Sequence, residues 1–187
     1  KTVLTVIKQA FEKVTYGRTL ILLPTINACA IVVSYLEQMF PDKKIGTINA
    51  YNSKQENAKN KAECDIIVST IQSAGTGFDM KDLSRLITAV GYRSWILASQ
   101  IHGRLRRRPD GKDTYMWDVV DAQIKQLSIW ANVRADVFKK SSKEFKVVID
   151  TVAPEVEIAQ PGDKIFGEGA KAAFKVRVIG NNGKVVG

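Results

Sequence analysis

Five short runs, apolar almost from end to end and spaced by segments with helical periodicity, narrow the fold of this chain more than any other feature. They are Arg18-Thr-Leu-Ile-Leu-Leu23, Ile45-Gly-Thr-Ile48, Asp65-Ile-Ile-Val-Ser69, Leu86-Ile-Thr-Ala-Val90 and Thr114-Tyr-Met-Trp-Asp-Val-Val120. A strand with one wet face alternates polar and apolar residues, whereas a strand covered on both faces is apolar throughout. The segments between them read as helices. Residues 1–16 place Val3, Ile7, Ala10, Phe11 and Val14 at helical spacing, with Gly17 as a stop. Thr25 is the expected N-cap of a helix over 26–40, which Pro41 ends. Ser53-Lys-Gln-Glu56 has the capping-box pattern and opens a polar helix to about residue 62. Residues 95–106 and 122–140 complete the set. Strands alternating with helices predict an α/β fold, a parallel sheet with helices on both faces.

The composition changes after Ser141-Ser142. Short β-like runs at 147–149, 156–158 and 172–179 are punctuated by Pro154, Pro161-Gly162 and Gly167-Glu-Gly169, and Asn181-Asn-Gly183 is a hairpin signal. The chain therefore divides into a main domain, 1–150, and a small β-rich C-terminal appendage or start of a further domain, 151–187. Of the 187 residues, 28 are Lys or Arg and 19 are Asp or Glu, for a net charge of +9. Residues 1–150 hold 23 of the basic and 15 of the acidic residues, so the excess sits in the main domain. Such an excess suits a polyanionic partner. Cys29 and Cys64 lie in or beside apolar runs without short-range metal-ligand neighbours, and His102 is the lone histidine, so no metal site is expected. The most apolar stretch, 19–33, is too short and too interrupted to span a bilayer. No signal peptide is visible, and a cytoplasmic setting is expected. A first residue of Lys rather than Met suggests a fragment or processed product.

Two segments carry chemistry at strand ends, where parallel sheets place their ligands. In Gln100-Ile-His-Gly103-Arg104-Leu-Arg-Arg107, the residues Gln100, Arg104 and Arg107 fall at i, i+4 and i+7 and would share one helical face. One amide and two guanidiniums match a triphosphate: the arginines neutralise charge on the transferred phosphoryl group, and the amide orients a water or an oxygen. A solvated basic helix end explains the same spacing equally well. In Ser69-Thr70-Ile-Gln-Ser-Ala-Gly75-Thr76-Gly77-Phe78-Asp79, small residues after a buried strand let backbone amides approach a phosphate or ribose, although an ordinary glycine-rich turn has the same composition.

The segment Gln100-x-x-Gly103-Arg104-x-x-Arg107 resembles motif VI of superfamily 2 helicases, and Thr70 with Gly77-x-Asp79 resembles their motif V. The segment 18–25, a basic residue, an apolar strand and a polar turn, resembles motif IV. The three stand in family order over roughly residues 18–120. The resemblance implies the second, C-terminal RecA-like domain of such a motor. Arg104 and Arg107 would be arginine fingers sensing the γ-phosphate, and Gln100 would stand at the motif's leading position. Gly77 and Asp79 would lie near the nucleotide, and Thr25, Asn27 and Thr70 at the nucleic-acid backbone. Ile101 stands where the family often has Arg, and Thr76 where it usually has a charged or bulky residue. Gln100-Ile-His-Gly103-Arg104-Leu-Arg is most similar to the viral and bacterial DNA repair or branch-migration subgroup, which favours DNA over RNA and, for a viral protein, a host-cytoplasm setting.

The chain has no Gly-x4-Gly-Lys-Ser/Thr loop and no Asp-Glu box. Gly167-Glu-Gly-Ala-Lys171 has the wrong spacing. The resemblance therefore implies that ATP and Mg2+ are held mainly by an N-terminal RecA-like domain of the same parent, and that this chain alone does not hydrolyse ATP. Two other readings stay open. A non-enzymatic nucleic-acid-binding α/β module accounts for the basic charge equally well. A nucleotide-binding enzyme built on the loop at 73–77 leaves Arg104 and Arg107 without a role.

Overall fold

A computed structural model describes residues 2–74, 80–105, 110–121, 124–152 and 172–180. Among these, α1 (Thr2–Lys13), β1 (Arg18–Leu23), α2 (Ile26–Met39), β2 (Ile45–Ile48), α3 (Lys54–Glu63), β3 (Ile66–Thr70), β4 (Leu83–Thr88), α4 (Trp95–His102), β5 (Tyr115–Asp121), α5 (Lys125–Ser141), β6 (Glu144–Val152) and β7 (Ala172–Gly180) follow in order. The strands form one sheet in the order β2-β3-β1-β4-β5-β7-β6. β1 to β5 pair in parallel, and β7 and β6 extend the β5 edge in antiparallel fashion. The chain has the expected α/β fold.

The parallel part of the sheet is covered on both faces, and the alternation within β1 shows how. Ile21 and Leu23 face α1 and α2, where they join Ile7, Ala10, Val14, Cys29 and Leu36. Leu20 and Leu22 face the other way, into a cluster with Ile67, Leu86, Ala98, Ile101 and Phe138. All five residues from Thr19 to Leu23 are buried, as an end-to-end apolar run requires. Both cysteines are free and buried, and burial pushes the Cys29 thiol up to about 11.

The helix starts follow their caps. Thr25 Oγ1 accepts from Ala28 N at 3.1 Å, and Ser53 Oγ accepts from Glu56 N at 3.0 Å. Two element boundaries in particular differ from the sequence expectation. β4 begins at Leu83 rather than residue 86. Ser84 and Arg85 are polar, yet both are buried. Arg85 donates to Thr19 Oγ1 at 2.7 Å, to the carbonyls of Tyr16 at 2.9 Å and Gly17 at 2.6 Å, and to that of Val14. It satisfies the carbonyls of the α1–β1 connection, so a charged residue sits inside a strand. α4 ends at His102, not at 106. β6 runs through the 150/151 position, and β7 lies on the main sheet beside β5. The expected β-run at 156–158 and the hairpin signal at 181–183 lie outside the described residues.

α3 is unusual in burying no residue. Polar side chains hold it instead. Asn60 Nδ2 donates to Thr47 O at 3.0 Å, and Asn57 Nδ2 donates to Asn49 O at 3.0 Å. Arg18 grips its C-terminal end, donating to Lys61 O at 2.8 Å and from Nε to Cys64 O at 2.7 Å. Gly46 makes the close approach possible, because a Cβ there would lie 2.6 Å from Cys64 Sγ.

Candidate functional site

β1 is the point at which the strand order reverses: β3 and β2 lie on one side, β4 and β5 on the other. Open parallel sheets bind ligands beyond the carboxyl ends of their strands at such a point. A cleft of about 240 Å3 occupies this position, lined by Leu22 of β1, by Ile71, Gln72 and Ala74 after β3, and by Leu97, Gln100, Ile101 and Arg104. The two chemistry-bearing segments of the sequence therefore meet across one cavity. Gln100 and Arg104 form one wall with Leu97, and Gln72 brings a second amide from the turn opposite.

The local fold explains the geometry. Ser94 caps α4, accepting from Leu97 N at 3.2 Å. Ala98 and Ile101 are buried in the core, Ile101 lining the cleft as well. The helix then tightens. Gly103 N still donates to Ser99 O at 2.8 Å, but Arg104 N donates to Ile101 O at 3.2 Å and Leu105 N to His102 O at 3.0 Å. These last two bonds span three residues rather than four, so a turn replaces the expected α-helix at Arg104. Gln100, in the last turn of α4, and Arg104, past its end, still reach the same cleft. A Cβ at Gly103 would lie 3.1 Å from Ser99 O of its own helix.

His102 has a structural place. It is 7% exposed, its Nε2 lies 3.0 Å from Ser142 Oγ, and its ring packs on Phe138. Burial lowers its pKa from the ordinary value. It fastens the end of α4 to the end of α5. A second tether comes from Arg134 of α5, which pairs with Asp118 of β5 at 2.9 Å and donates to Tyr92 O at 2.6 Å in the connection leading into α4. Sequence reasoning missed this pair, because an Asp in a strand and an Arg sixteen residues later carry no spacing signal of their own.

The expected nucleic-acid residues distribute along the same edge of the sheet. Thr25 and Asn27 are exposed beyond the end of β1. Thr70 ends β3 and is 5% exposed; its Oγ1 donates to Ser73 Oγ at 3.0 Å and accepts from Ser73 N at 3.2 Å, which shapes the turn into the cleft. Arg18, the basic residue of the motif IV resemblance, lies at the opposite end of β1 and holds α3. Gly77, Asp79 and Arg107 lie outside the described residues. Among the described residues no group of three or more His, Cys, Asp and Glu could hold a metal ion, and no helix is long and apolar enough to cross a membrane.

No family model and no curated protein matches the chain. Among solved structures it is similar to Mss116p DEAD-box helicase domain 2 bound to an RNA duplex, at 20% identity and a TM-score of 0.46, covering 60% of this chain and 45% of that one. It is also similar to the C-terminal domain of S. cerevisiae Dbp5 bound to Gle1 and IP6, at 15% identity and a TM-score of 0.53, covering 74% of this chain and 76% of that one. The chain thus spans less than half the length of the Mss116p chain. At these identities the likeness is one of fold: five parallel strands between helices, the RecA-like α/β fold.

Proposed function

We propose that residues 1–150 are the C-terminal motor domain of an ATP-dependent nucleic-acid helicase or translocase, with 151–187 an appendage to it. The observation that carries this reading is the cleft at the reversal of strand order, where the turn after β3 and the α4 segment meet. Those segments resemble helicase motifs V and VI on independent residues.

Arg104 supplies a guanidinium to the charge that builds on a transferred phosphoryl group, and Arg107, three residues on, supplies the second. Gln100 orients the attacking water or a phosphate oxygen from the same wall. Gly77 and Asp79 lie near the nucleotide. The donors of this cleft suit phosphate oxygens, while Mg2+ takes carboxylate and phosphate oxygens. An N-terminal RecA-like domain of the same parent would hold most of ATP and its Mg2+, and hydrolysis of the ATP would supply the energy for movement. This chain provides half of a composite site and is inactive by itself. Thr25 and Asn27, with the turn that Thr70 shapes, hold the sugar-phosphate backbone. Such contacts give a sequence-independent, salt-sensitive grip. The resemblance of Gln100-Ile-His-Gly103 to the viral and bacterial repair or branch-migration subgroup makes DNA the preferred strand.

A non-enzymatic nucleic-acid-binding module is favoured by one observation, the concentration of basic charge in residues 1–150. Steady-state ATP hydrolysis by the intact protein, with and without DNA and RNA oligonucleotides, separates the two. The motor reading expects hydrolysis stimulated by nucleic acid, more by DNA than by RNA. Tight binding without hydrolysis would leave the binding module standing.

A further inference from the structure

Tyr51 is 85% exposed, more than any other large hydrophobic side chain among the described residues, yet the loop that carries it is tightly held. Asn49 Oδ1 accepts from Tyr51 N at 2.8 Å and from Asn52 N at 3.1 Å. Asn52 Nδ2 donates to Thr47 O at 2.9 Å. Asn57 reaches back from α3, its Oδ1 accepting from Asn49 N at 3.3 Å and its Nδ2 donating to Asn49 O at 3.0 Å. The Asn57 amide thus takes the place of a neighbouring strand just beyond the end of β2. Ser53 closes the loop as the N-cap of α3. An exposed aromatic on a loose loop needs no explanation. Here several hydrogen bonds, each worth about 1 kcal/mol, fix the backbone on both sides of a ring that contributes nothing to the core.

The position of the loop names its ligand. Ile48 pairs with Ser69, and Thr70 pairs with Leu23, so residues 49–53 rise from the same end of the sheet as Thr70 and Thr25. Neighbouring strands lie about 4.8 Å apart, so the three positions spread over about 10 Å along one edge. The sequence neighbours of Tyr51 are the small Ala50 and, polar or cationic, Asn49, Asn52, Ser53 and Lys54. Protein-binding patches are contiguous and apolar at their centre. A single rigid ring in polar, basic surroundings suits a nucleobase, whose face stacks on the ring while its phosphates stay in water.

We propose that Tyr51 is a stacking platform for an unpaired base of a single strand lying along this edge, which rests on the nucleic-acid reading above. The test measures binding of fluorescently labelled oligo-dT and oligo-U to the intact protein at several salt concentrations. Tyr51→Ala is expected to weaken binding about 5- to 150-fold, the usual range for one stacked base. Tyr51→Phe and Tyr51→Trp should bind within about 3-fold of the wild type, because the ring is kept. The slope of log affinity against log salt should be the same in all four proteins, because no phosphate contact is removed. Wild-type affinity in Tyr51→Ala overturns the platform alone. So does an equal loss in Tyr51→Phe, which would make the hydroxyl the contact, or a shallower salt slope, which would make it a phosphate site. Absence of any binding by the wild-type protein overturns both the platform and the nucleic-acid reading.

Discussion

Removing the carboxylate of Asp118 isolates the tether behind the cleft. Asp118 and Arg134 have 0% and 1% exposed side chains. The pairing is two-pronged, with Nε donating to Oδ2 at 2.9 Å and Nη2 to Oδ1 at 3.2 Å. The third guanidinium nitrogen donates to Tyr92 O at 2.6 Å, and the group lies 4.6 Å from the Tyr92 ring centre. Asp118→Ala therefore strands a guanidinium in the interior with its principal counter-charge gone. Breaking a buried pair in this way costs about 3–5 kcal/mol. For a chain of this size each kcal/mol moves Tm by about 2–4 °C, so the expected drop is about 6–20 °C. Replacing both partners, as Asp118→Leu with Arg134→Met, removes the stranded charge and should recover most of the loss. The assay is urea and thermal unfolding of wild type, both single variants and the double variant. A loss below about 1 kcal/mol for Asp118→Ala, or a double variant whose loss equals the sum of the singles, would refute the reasoning.

Two further outcomes follow from the same structure. Burial holds the His102 imidazole below its ordinary pKa, so the unfolded chain takes up a proton that the folded chain resists. Its contribution is unaffected above about pH 6.5 and is lost progressively as pH falls below that value, by at most about 1.4 kcal/mol per pH unit. Urea midpoints measured from pH 7.5 to 5.5 should fall in the wild type and flatten in His102→Gln; equal slopes would count against the assignment. Gly46→Ala should cost about 1–3 kcal/mol, because its Cβ meets Cys64 Sγ at 2.6 Å and Asn60 Cγ at 3.1 Å. The penalty should shrink in a Cys64→Ala background, as judged by the same unfolding experiment, and an unchanged penalty would place the strain elsewhere.

What the sequence made legible is what depends on local periodicity and caps. The end-to-end apolar runs fixed β1, β2, β3 and β5 to within a residue or so, and Thr25 and Ser53 marked their helix starts. The gathering of Gln100, Arg104 and the turn after β3 around one cleft follows from strands ending on the same side. What escaped depends on partners distant in sequence. Arg85 is a strand residue because carbonyls 68 to 71 positions earlier need donors, a demand invisible in its own neighbourhood. The Asn49, Asn52 and Asn57 network looks like polar loop composition until the end of β2 is seen to need a substitute strand. The early end of α4 lay closer to view, since Gly103 is a poor helix former, but the phosphate-like spacing of Gln100, Arg104 and Arg107 drew the helix too far.

The central claim is that Arg104 acts on a phosphoryl group presented by another domain. It is tested most directly by ATP hydrolysis in the intact protein carrying Arg104→Ala, measured at saturating oligonucleotide beside the affinity for ATP. In that variant kcat should fall by about 10^3-fold or more while ATP affinity stays within a few-fold of wild type, the pattern of a finger that acts in the transition state. Wild-type kcat in that variant would contradict it.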